Sequence, residues 1–306
     1  MTPELRFPDV IDNSMRKELV KCQKIAHWKF ERGLNAPGNN VDLHAGGAFS
    51  KAMEVLRTAY YVQRKSQELA LSDAISALYT VYGNFQCPEG KFKTADRMAG
   101  ALTYYLSEHP LADDEYIPLE LSDGKLGIEI VFQHPTKLIH PVTGRVIPYV
   151  GRFDMLAEDT HGYVWIVDEK STGKMGDAWV HQWDLDSQMT GYCWGAQKLL
   201  EQHNIDKEIK GAIINGVGIL KYDYAVQRVH TYRQPWVIDR WYQQMIRDIE
   251  NWIEVYKEQS HNMVLDHACA LYNNPCVYSR LCVAQNPERL IDGNFKVHFW
   301  NPLTRE

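Results

Sequence analysis

The sequence predicts an α/β or α+β protein, a single domain in which a mainly helical N-terminal lobe precedes a central sheet. Three observations predict this class. Apolar residues recur at helical spacing through the first third of the chain, the pattern then changes to short runs rich in Ile, Val and aromatic residues, and a long amphipathic segment follows at 236–259. Such a succession is typical of a sheet flanked by helices.

The elements can be assigned in chain order. In the lobe, helices are predicted at 15–32 after a cap at Asn13-Ser14, at 48–65 where Gly46-Gly47 opens the helix, at 72–82 and at 95–107, followed by an acidic loop at 110–120. Strands are predicted at 127–132, 146–156, 163–170, 211–219 and 225–232, with a helix at 186–203.

No repeat or long linker divides the chain, so we expect one domain over 1–306. Within it, 1–120 should form the helical lobe and 121–235 the sheet core. The remainder, 236–306, should form a helix and a cysteine-containing segment that closes back on the N-terminal helix.

Composition excludes several classes of protein. With 306 residues, 45% hydrophobic and 24% charged, the chain is ordinary for a globular protein and is not disordered. Its net charge of −6 argues against coating nucleic acid through bulk charge, although a local basic groove stays open. No apolar run of about 18–20 residues and no leader sequence is visible, so we expect a cytoplasmic protein without membrane contact.

The most informative stretch contains two charged strands joined by a turn. Gly151-Arg152-Phe153-Asp154 precedes the turn, and Asp168 and Lys170 follow it. Strand partners mirror each other around a hairpin, so Asp154 should lie within about one residue of the position opposite Asp168. Asp168 and Lys170 are two residues apart and share a face, and Glu129 lies on the preceding strand. Three carboxylates and one ammonium group are thus expected on one sheet face.

Carboxylates packed this closely repel one another, and burying them without a counter-charge is expensive. Mg²⁺ or Mn²⁺ would resolve the conflict, because both ions bind oxygen ligands and can hold a water beside a phosphate oxygen. Lys170 could orient or activate that water and offset charge on the phosphate. The pattern indicates metal-dependent phosphodiester hydrolysis; the alternative is a solvated salt-bridge network on an exposed face.

The ordered set of motifs resembles the PD-(D/E)XK nuclease superfamily, and most of all its RecB-type branch. That branch has an upstream Glu, a Gly-x-x-Asp strand, an Asp-x-Lys strand and a helix with Gln-x-x-x-Tyr. The counterparts here are Glu129, Gly151 to Asp154, Asp168 with Lys170, and Gln188 to Tyr192. The resemblance spans about 14–285 and implies a restriction-endonuclease-like core with a mixed central sheet flanked by helices.

The resemblance also implies a role for each residue. Glu129, Asp154 and Asp168 would hold the metal, and Lys170 would position the attacking water. Gln188 and Tyr192 share one helix face and would contact the DNA backbone or support the lysine.

An early helix of the family reads Gly-x-x-x-His-x-x-x-Glu, and its His helps to bind metal. The matching stretch here has Ser50 in place of the His and retains Glu54. Because Ser is a poor metal ligand, the ligand set is reduced to carboxylates and water. Glu54 could reach the metal, with His44 upstream as a poorer substitute, but an exposed helix charge explains Glu54 equally well.

Four of the six cysteines resemble a second feature of RecB-like nucleases, including the CRISPR-associated ones. In these an early Cys and a late trio hold a 4Fe–4S cluster that ties the chain ends together. The counterparts are Cys22, Cys269, Cys276 and Cys282, although the late spacing departs from that of the family. Zn²⁺ on the same thiolates, with His267 replacing one of them, is the chemical alternative. The other alternative is that these four cysteines are unrelated buried thiols that bind no metal.

A net acidic protein must concentrate positive charge locally to approach DNA. The candidate contacts are Lys21 and Lys24 on the first helix and Lys51 and Arg57 on the second, with Trp28 available to stack on the bases of a single strand. Solvated or packed faces would explain the same residues.

The resemblance therefore implies a Mg²⁺- or Mn²⁺-dependent deoxyribonuclease. The preferred interpretation is an exonuclease that acts on free DNA ends in recombination, repair or phage DNA processing. The stretch at 44–49 resembles bacteriophage members, whose location would be the host cytoplasm. A structure-selective endonuclease would share every catalytic residue. Ser50 also leaves open a catalytically weak DNA-end-binding or adaptor subunit with a structural cluster.

The partners that this implies are DNA and, among proteins, a recombinase, a single-strand-binding protein or a helicase. No Gly-x-x-x-x-Gly-Lys-Ser/Thr sequence is present, so unwinding would have to come from a partner.

Overall fold

The computed structural model describes residues 4–38, 40–264, 267–271 and 274–304. Its helices are α1 (Asn13–Lys21), α2 (Gln23–Ala26), α3 (Val41–Arg57), α4 (Gln67–Tyr82), α5 (Ala95–Glu108), α6 (Asp177–His181), α7 (Ser187–Gln202), α8 (Pro235–Glu258) and α9 (Ser279–Val283). Its strands are β1 (Leu34–Asn35), β2 (Ile117–Pro118), β3 (Ile128–Ile139), β4 (Val146–Glu158), β5 (Val164–Thr172), β6 (Ile209–Ile219), β7 (Tyr224–Tyr232), β8 (Ala270–Leu271), β9 (Asn274–Pro275) and β10 (Lys296–Val297). Two π-helical segments follow α2 and α3, at His27–Glu31 and Thr58–Val62, and short 3₁₀ helices lie at Leu111–Asp113, His267–Cys269 and Pro287–Leu290.

The chain folds into two compact units. Unit 1 contains the described residues within Met1–Gly38, Gln133–Gly151 and Asp239–Glu306, and unit 2 contains those within Asn39–Phe132 and Arg152–Ile238. The chain crosses between the units within β3, β4 and α8. The single domain expected over 1–306 stays a prediction.

The central sheet has six strands in the order β2-β4-β5-β6-β7, with β3 also paired with β4. Its pairs β4–β5 and β6–β7 are antiparallel, whereas β5 and β6, which are joined through α7, are parallel. On one face, Val217 and Ile219 of β6 pack into the apolar cluster of α3, α4 and α5. On the other face, Gly216 lies against Trp179. A mixed sheet flanked by helices, the predicted fold class, is confirmed.

The first two helices of the lobe depart from the prediction at their boundaries. Asp12, not Asn13-Ser14, caps the first helix by accepting a hydrogen bond from Met15 N at 2.8 Å, and the helix breaks at the extended residue Cys22. The second helix begins seven residues before position 48, because Asn40 caps it and its first turns already carry buried residues such as Ala45. Gly46-Gly47 therefore lies inside α3. Burial of the helix face outweighs the weak helix propensity of glycine.

Unit 1 joins residues from both ends of the described chain. Side chains from the α2 region and from the C-terminal segment form one apolar cluster, which includes Trp28, Tyr278 and Leu281. Arg16 Nη2 of α1 pairs with Asp248 Oδ2 of α8 at 2.8 Å, and β1 pairs with β10. No helix in the described ranges is long and apolar enough to cross a bilayer.

Candidate active site

The hairpin of β4 and β5 brings three predicted residues together. Met155 pairs with Val167, and the same register continued by one residue sets Asp154 opposite Asp168. Asp154 Oδ2 accepts a hydrogen bond from the backbone N–H of the next residue, Glu169, at 2.8 Å. The ammonium group of Lys170 forms an ion pair with Asp168 Oδ2. Two carboxylates and one ammonium group thus share the middle of the sheet.

Burial separates the roles that Asp168 and Lys170 can play. The Asp168 side chain is 3% exposed and that of Lys170 is 31% exposed, so only the lysine can be reached by a large substrate. Burial raises the pKa of Asp168, and the charge of Asp154 adds to this, against the opposing effect of Lys170. Burial by itself would lower the pKa of Lys170, but Asp168 and Asp154 outweigh it and raise that pKa above its usual value. In this arrangement the two acids therefore favour the ammonium form of Lys170.

The donor set suits a hard divalent cation. Asp168 Oδ2 is buried, its partner in the described contacts is the ammonium group of Lys170, and Asp154 lies beside it. Carboxylate oxygens are the preferred ligands of Mg²⁺ and Mn²⁺, and a cation between the two acids would remove the penalty of burying like charges together. Asp154 and Asp168 are thus the residues that would hold the ion.

Glu129, the third predicted ligand, lies at the irregular start of β3. Its φ of 51° is in the left-handed region, which costs a residue with a side chain about 1 kcal/mol. Arg152 Nη1 lies 3.7 Å from Glu129 Oε2. Among the described residues, Glu129, Asp154 and Asp168 do not bring three oxygens within 4.8 Å of one another. Glu129 as a metal ligand stays a prediction.

The helix motif Gln-x-x-x-Tyr forms a single hydrogen-bonded unit. Gln188 Nε2 donates to Tyr192 Oη at 2.9 Å, and the Tyr192 ring packs edge-on against Phe153, the neighbour of Asp154, with ring centroids 5.5 Å apart. Burial raises the pKa of Tyr192, as does the charge of Asp168. A neutral phenol is therefore fixed beside the charged group.

A buried ionic network on the opposite face of β5 was not anticipated. Glu169, between Asp168 and Lys170, is 7% exposed and ion-paired with Arg57 of α3. Asn215 Nδ2 donates to Glu169 Oε1 at 3.0 Å and Asn215 Oδ1 accepts from Arg228 Nε at 2.9 Å. Arg228 in turn forms two parallel hydrogen bonds with Asp114, at 3.0 and 3.1 Å. The sequence does contain a signal for this network. Successive side chains of a strand point to opposite faces, so Glu169 must lie on the face away from Asp168.

A tryptophan lies next to Lys170 on the active face. Lys170 pairs with Gly216 across β5 and β6, and a Cβ added to Gly216 would lie 2.1 Å from Trp179 Cη2. The indole thus occupies the space that a side chain at position 216 would need. In the sequence, Gly216 is the signal for this contact, because a glycine inside a strand often marks a place where another group approaches the backbone closely.

The early-helix residues are not brought to the carboxylates by any described contact. Glu54 pairs with Lys51 at 2.7 Å, which favours the helix-surface interpretation. His44 Nε2 lies 2.9 Å from the carbonyl oxygen of Tyr82, and its ring stacks on Phe85. Ser50, four residues before Glu54, is half-buried on the same helix.

Two of the five candidate DNA contacts are wrong. Arg57 is 3% exposed and held by Glu169, and Trp28 is 4% exposed inside the unit 1 cluster, so neither side chain can reach a nucleic acid. Lys21 and Lys51 are exposed, and Lys24 is half-buried with its Nζ 5.6 Å from the Trp28 ring centroid.

The four predicted cysteine ligands are free thiols in unit 1. Cys22 is buried, and Cys276 and Cys282 pack against the same apolar cluster. Cys276 N donates to Cys269 O at 2.8 Å, and burial raises the pKa of the Cys276 and Cys282 thiols. Over the described residues, no three of these sulfurs lie within 4.8 Å of one another. The side chain of His267 lies outside the described part of the chain.

We predict that Arg57→Met destabilises the protein by about 3–5 kcal/mol, because it leaves the buried Glu169 carboxylate without its ion-pair partner. Urea unfolding measures the free energy. The double variant Arg57→Met with Glu169→Gln removes both charges and should recover most of the loss. A single-variant cost below about 1 kcal/mol would show that the pair is not the support of this strand.

Comparison with known proteins agrees with this fold. The family model of the PD-(D/E)XK nuclease superfamily matches residues 18–283. The crystal structure of a candidate exonuclease from Eubacterium rectale is similar, with a TM-score of 0.52 and 11% identity over 88% of this chain and 89% of that chain. A second structure, SSO0001, has a TM-score of 0.29 and 13% identity over 79% and 84%, and at that score it supports no conclusion. No curated protein sequence matches. Since the family match covers most of the chain and the structure has the corresponding mixed sheet, the chain belongs to the PD-(D/E)XK nuclease superfamily.

Proposed function

We propose that this nuclease hydrolyses DNA with Mg²⁺ or Mn²⁺ and acts as an exonuclease on free ends, in recombination, repair or phage DNA processing. The observation that carries the proposal is the Asp168–Lys170 ion pair opposite Asp154 on one sheet face. Buried charges of this kind cost stability even when they are paired. Its retention is explained by chemistry on a phosphodiester.

The bound cation would supply Lewis-acid activation of a water and of the phosphate. Asp154 and Asp168 would bind it, and we include Glu129 as a third ligand. Lys170, which is cationic and accessible, orients the attacking water by hydrogen bonding and offsets the negative charge that develops on the phosphate.

The surrounding residues keep Lys170 in place. Tyr192, held by Gln188, lies against Phe153 and restricts the space beside the ion pair. We propose that Gln188 and Tyr192 support the lysine, that Trp179 contacts a nucleotide at the cleaved bond, and that Lys21, Lys24 and Lys51 contact phosphates.

Two alternatives belong to the same site. A structure-selective endonuclease would use the same residues. A DNA-end-binding or adaptor subunit is favoured by Ser50 and by the pairing of Glu54 with Lys51, but the Asp168–Lys170 pair argues against it, because a binding module needs no such buried charges.

We predict that the wild type degrades end-labelled linear DNA in the presence of Mg²⁺ or Mn²⁺, and leaves a closed circle intact. Lys170→Ala should reduce the rate by about 10²–10³-fold, while the folded, metal-supplied variant binds DNA nearly as the wild type does. Single- and double-stranded substrates are both assayed.

The matched control is Lys198→Ala, which removes an exposed lysine paired with Glu201 on α7 and should cleave like the wild type. Cleavage of the circle would replace the exonuclease by the endonuclease. No cleavage by folded, metal-supplied protein would favour the adaptor.

We also propose that Cys22, Cys269, Cys276 and Cys282 hold a 4Fe–4S cluster that fastens the two chain ends within unit 1. Three of them, Cys22, Cys276 and Cys282, lie at one apolar cluster, and Cys269 accepts a backbone hydrogen bond from Cys276, which supports this. Each thiolate of such a cluster binds a different iron, so the sulfurs lie further apart than the ligands of a single zinc ion.

We predict a brown protein after anaerobic purification, with about four iron atoms per chain, and loss of colour and stability in Cys276→Ser. The control is Cys193→Ser, a buried cysteine of unit 2, which should keep its iron. A colourless wild type without iron would reject the cluster, and zinc in its place would favour the alternative ion.

A further inference from the structure

Three buried titratable side chains in unit 1 converge outside the proposed active site. His27 Nδ1 lies 2.8 Å from Glu31 Oε2 and His261 Nε2 lies 2.7 Å from Glu31 Oε1. The side chains are 8%, 0% and 1% exposed in the order His27, Glu31, His261. Among the described residues they form the one group of His, Cys, Asp or Glu whose ligand atoms all lie within 4.8 Å.

Glu31 carries a buried charge without a lysine or arginine beside it in the described contacts. Its carboxylate accepts hydrogen bonds from His261, His27 and Trp252 Nε1, the last at 2.6 Å. Burial alone would raise the pKa of Glu31, but the hydrogen bonds from His261 and His27 lower it below its usual value. The group is therefore a carboxylate, and two imidazoles and an indole are its neighbours.

The two histidines can reach the form that binds metal. The proton of a neutral imidazole can lie on either ring nitrogen, and with the proton of His27 on Nε2 its Nδ1, 2.8 Å from Glu31 Oε2, would be free to bind the ion. His261 is held on the other side of the carboxylate, and its Nδ1 is buried with no hydrogen-bond partner among the described residues. Moving the ring proton of His261 to Nδ1 would free the Nε2 lone pair for a metal.

The backbone around the first two residues is unusual. His27 and Glu31 bound a π-helical segment in which Arg32 N donates to His27 O at 3.0 Å. Such segments often mark functional sites. His261 comes from the loop after α8, 230 residues from Glu31 in sequence, so the group ties distant segments of unit 1 together.

We propose that His27, Glu31 and His261 bind a Zn²⁺ ion as three of its four tetrahedral ligands. Two imidazoles and one carboxylate are a donor set typical of zinc, and the imidazoles disfavour Mg²⁺. Ligands on a tetrahedral zinc ion lie about 3.3 Å apart when the bonds are about 2.0–2.1 Å. The observed separations of 2.7 and 2.8 Å, which end on different oxygens of Glu31, are about 0.5 Å shorter than this, so the nitrogens would move away from the carboxylate when the ion enters. Trp252 stays hydrogen-bonded to the carboxylate and orients it.

The competing interpretation is a metal-free hydrogen-bonded network, in which both rings donate to Glu31. The two differ in a measurable way. Zinc would stabilise the wild type in proportion to its concentration, whereas a network complete in itself would not respond.

The test uses the full chain, stripped with EDTA and titrated with Zn²⁺ in excess Mg²⁺, so that the carboxylates of the proposed active site are occupied. Metal content and melting temperature are measured for wild type, Glu31→Gln and His261→Gln. We expect Glu31→Gln and His261→Gln each to bind one zinc ion per chain fewer than the wild type. The wild type should melt about 5 °C higher at a hundredfold excess over Kd, and the variants should show no shift.

Two controls separate this site from other zinc ligands. His140→Gln removes another buried histidine of unit 1, which bonds Phe7 O and the N–H groups of Val142 and Thr143, and should keep its zinc. Cys276→Ser should keep it too. If the Glu31 or the His261 variant fails to fold, the absorption spectrum of Co²⁺ bound to the wild type is measured instead. Nitrogen and oxygen ligands lack the strong charge-transfer band of thiolates, so a cobalt spectrum without that band would support this site.

Equal zinc content in wild type, Glu31→Gln and His261→Gln, with no zinc-dependent melting shift, would overturn the proposal and establish the metal-free network. A cobalt spectrum with only thiolate bands would overturn it as well. Neither result depends on whether the protein cleaves DNA.

Discussion

Unit 2 depends on three consecutive charges in the middle of its sheet, Asp168, Glu169 and Lys170. An unpaired charge at such a place costs several kcal/mol, so each needs a partner from outside the strand or beside it. Asp168 and Lys170 neutralise each other on one face, and Arg57 neutralises Glu169 on the other. The pair on the accessible face is free to take part in chemistry because the other pair fixes the strand from behind.

The two faces of the sheet have different roles: the face of Glu169 supports the strand, and the face of Asp168 is where we propose the reaction takes place. The support on the Glu169 face extends through Asn215 to Arg228 and Asp114, so β5, β6 and β7 are cross-linked by polar side chains in a region otherwise apolar. On the other face, the partner of Asp168 Oδ2 in the described contacts is the ammonium group of Lys170. Asp168 and Asp154 together offer carboxylate oxygens of the kind that Mg²⁺ and Mn²⁺ prefer.

Sequence reasoning placed Asp154, Asp168 and Lys170 on one face of the sheet, as the structure has them, but did not find the ionic network on the opposite face. The hairpin, the position of Asp154 opposite Asp168 and the Gln188–Tyr192 pair follow from alternation, turn position and helical spacing, which are local rules. The partner of Glu169 lies 112 residues away on α3, and no local rule identifies it, so Arg57 was assigned to the surface with the other basic residues. Trp28 was misplaced for the same reason, since burial in unit 1 depends on residues near 278–291. The start of α3 was missed because tertiary packing overrode the two glycines.

In the proposed mechanism, Asp154 and Asp168 together bind the catalytic cation. The most direct measurement is calorimetric titration of Mn²⁺ into wild type and Asp154→Asn, with Glu201→Gln as a control that removes an exposed carboxylate of α7. We expect the Asn substitution to weaken Mn²⁺ binding at least tenfold and the control to bind like the wild type. Equal affinity in Asp154→Asn and wild type would contradict the claim and remove Asp154 from the ligand set.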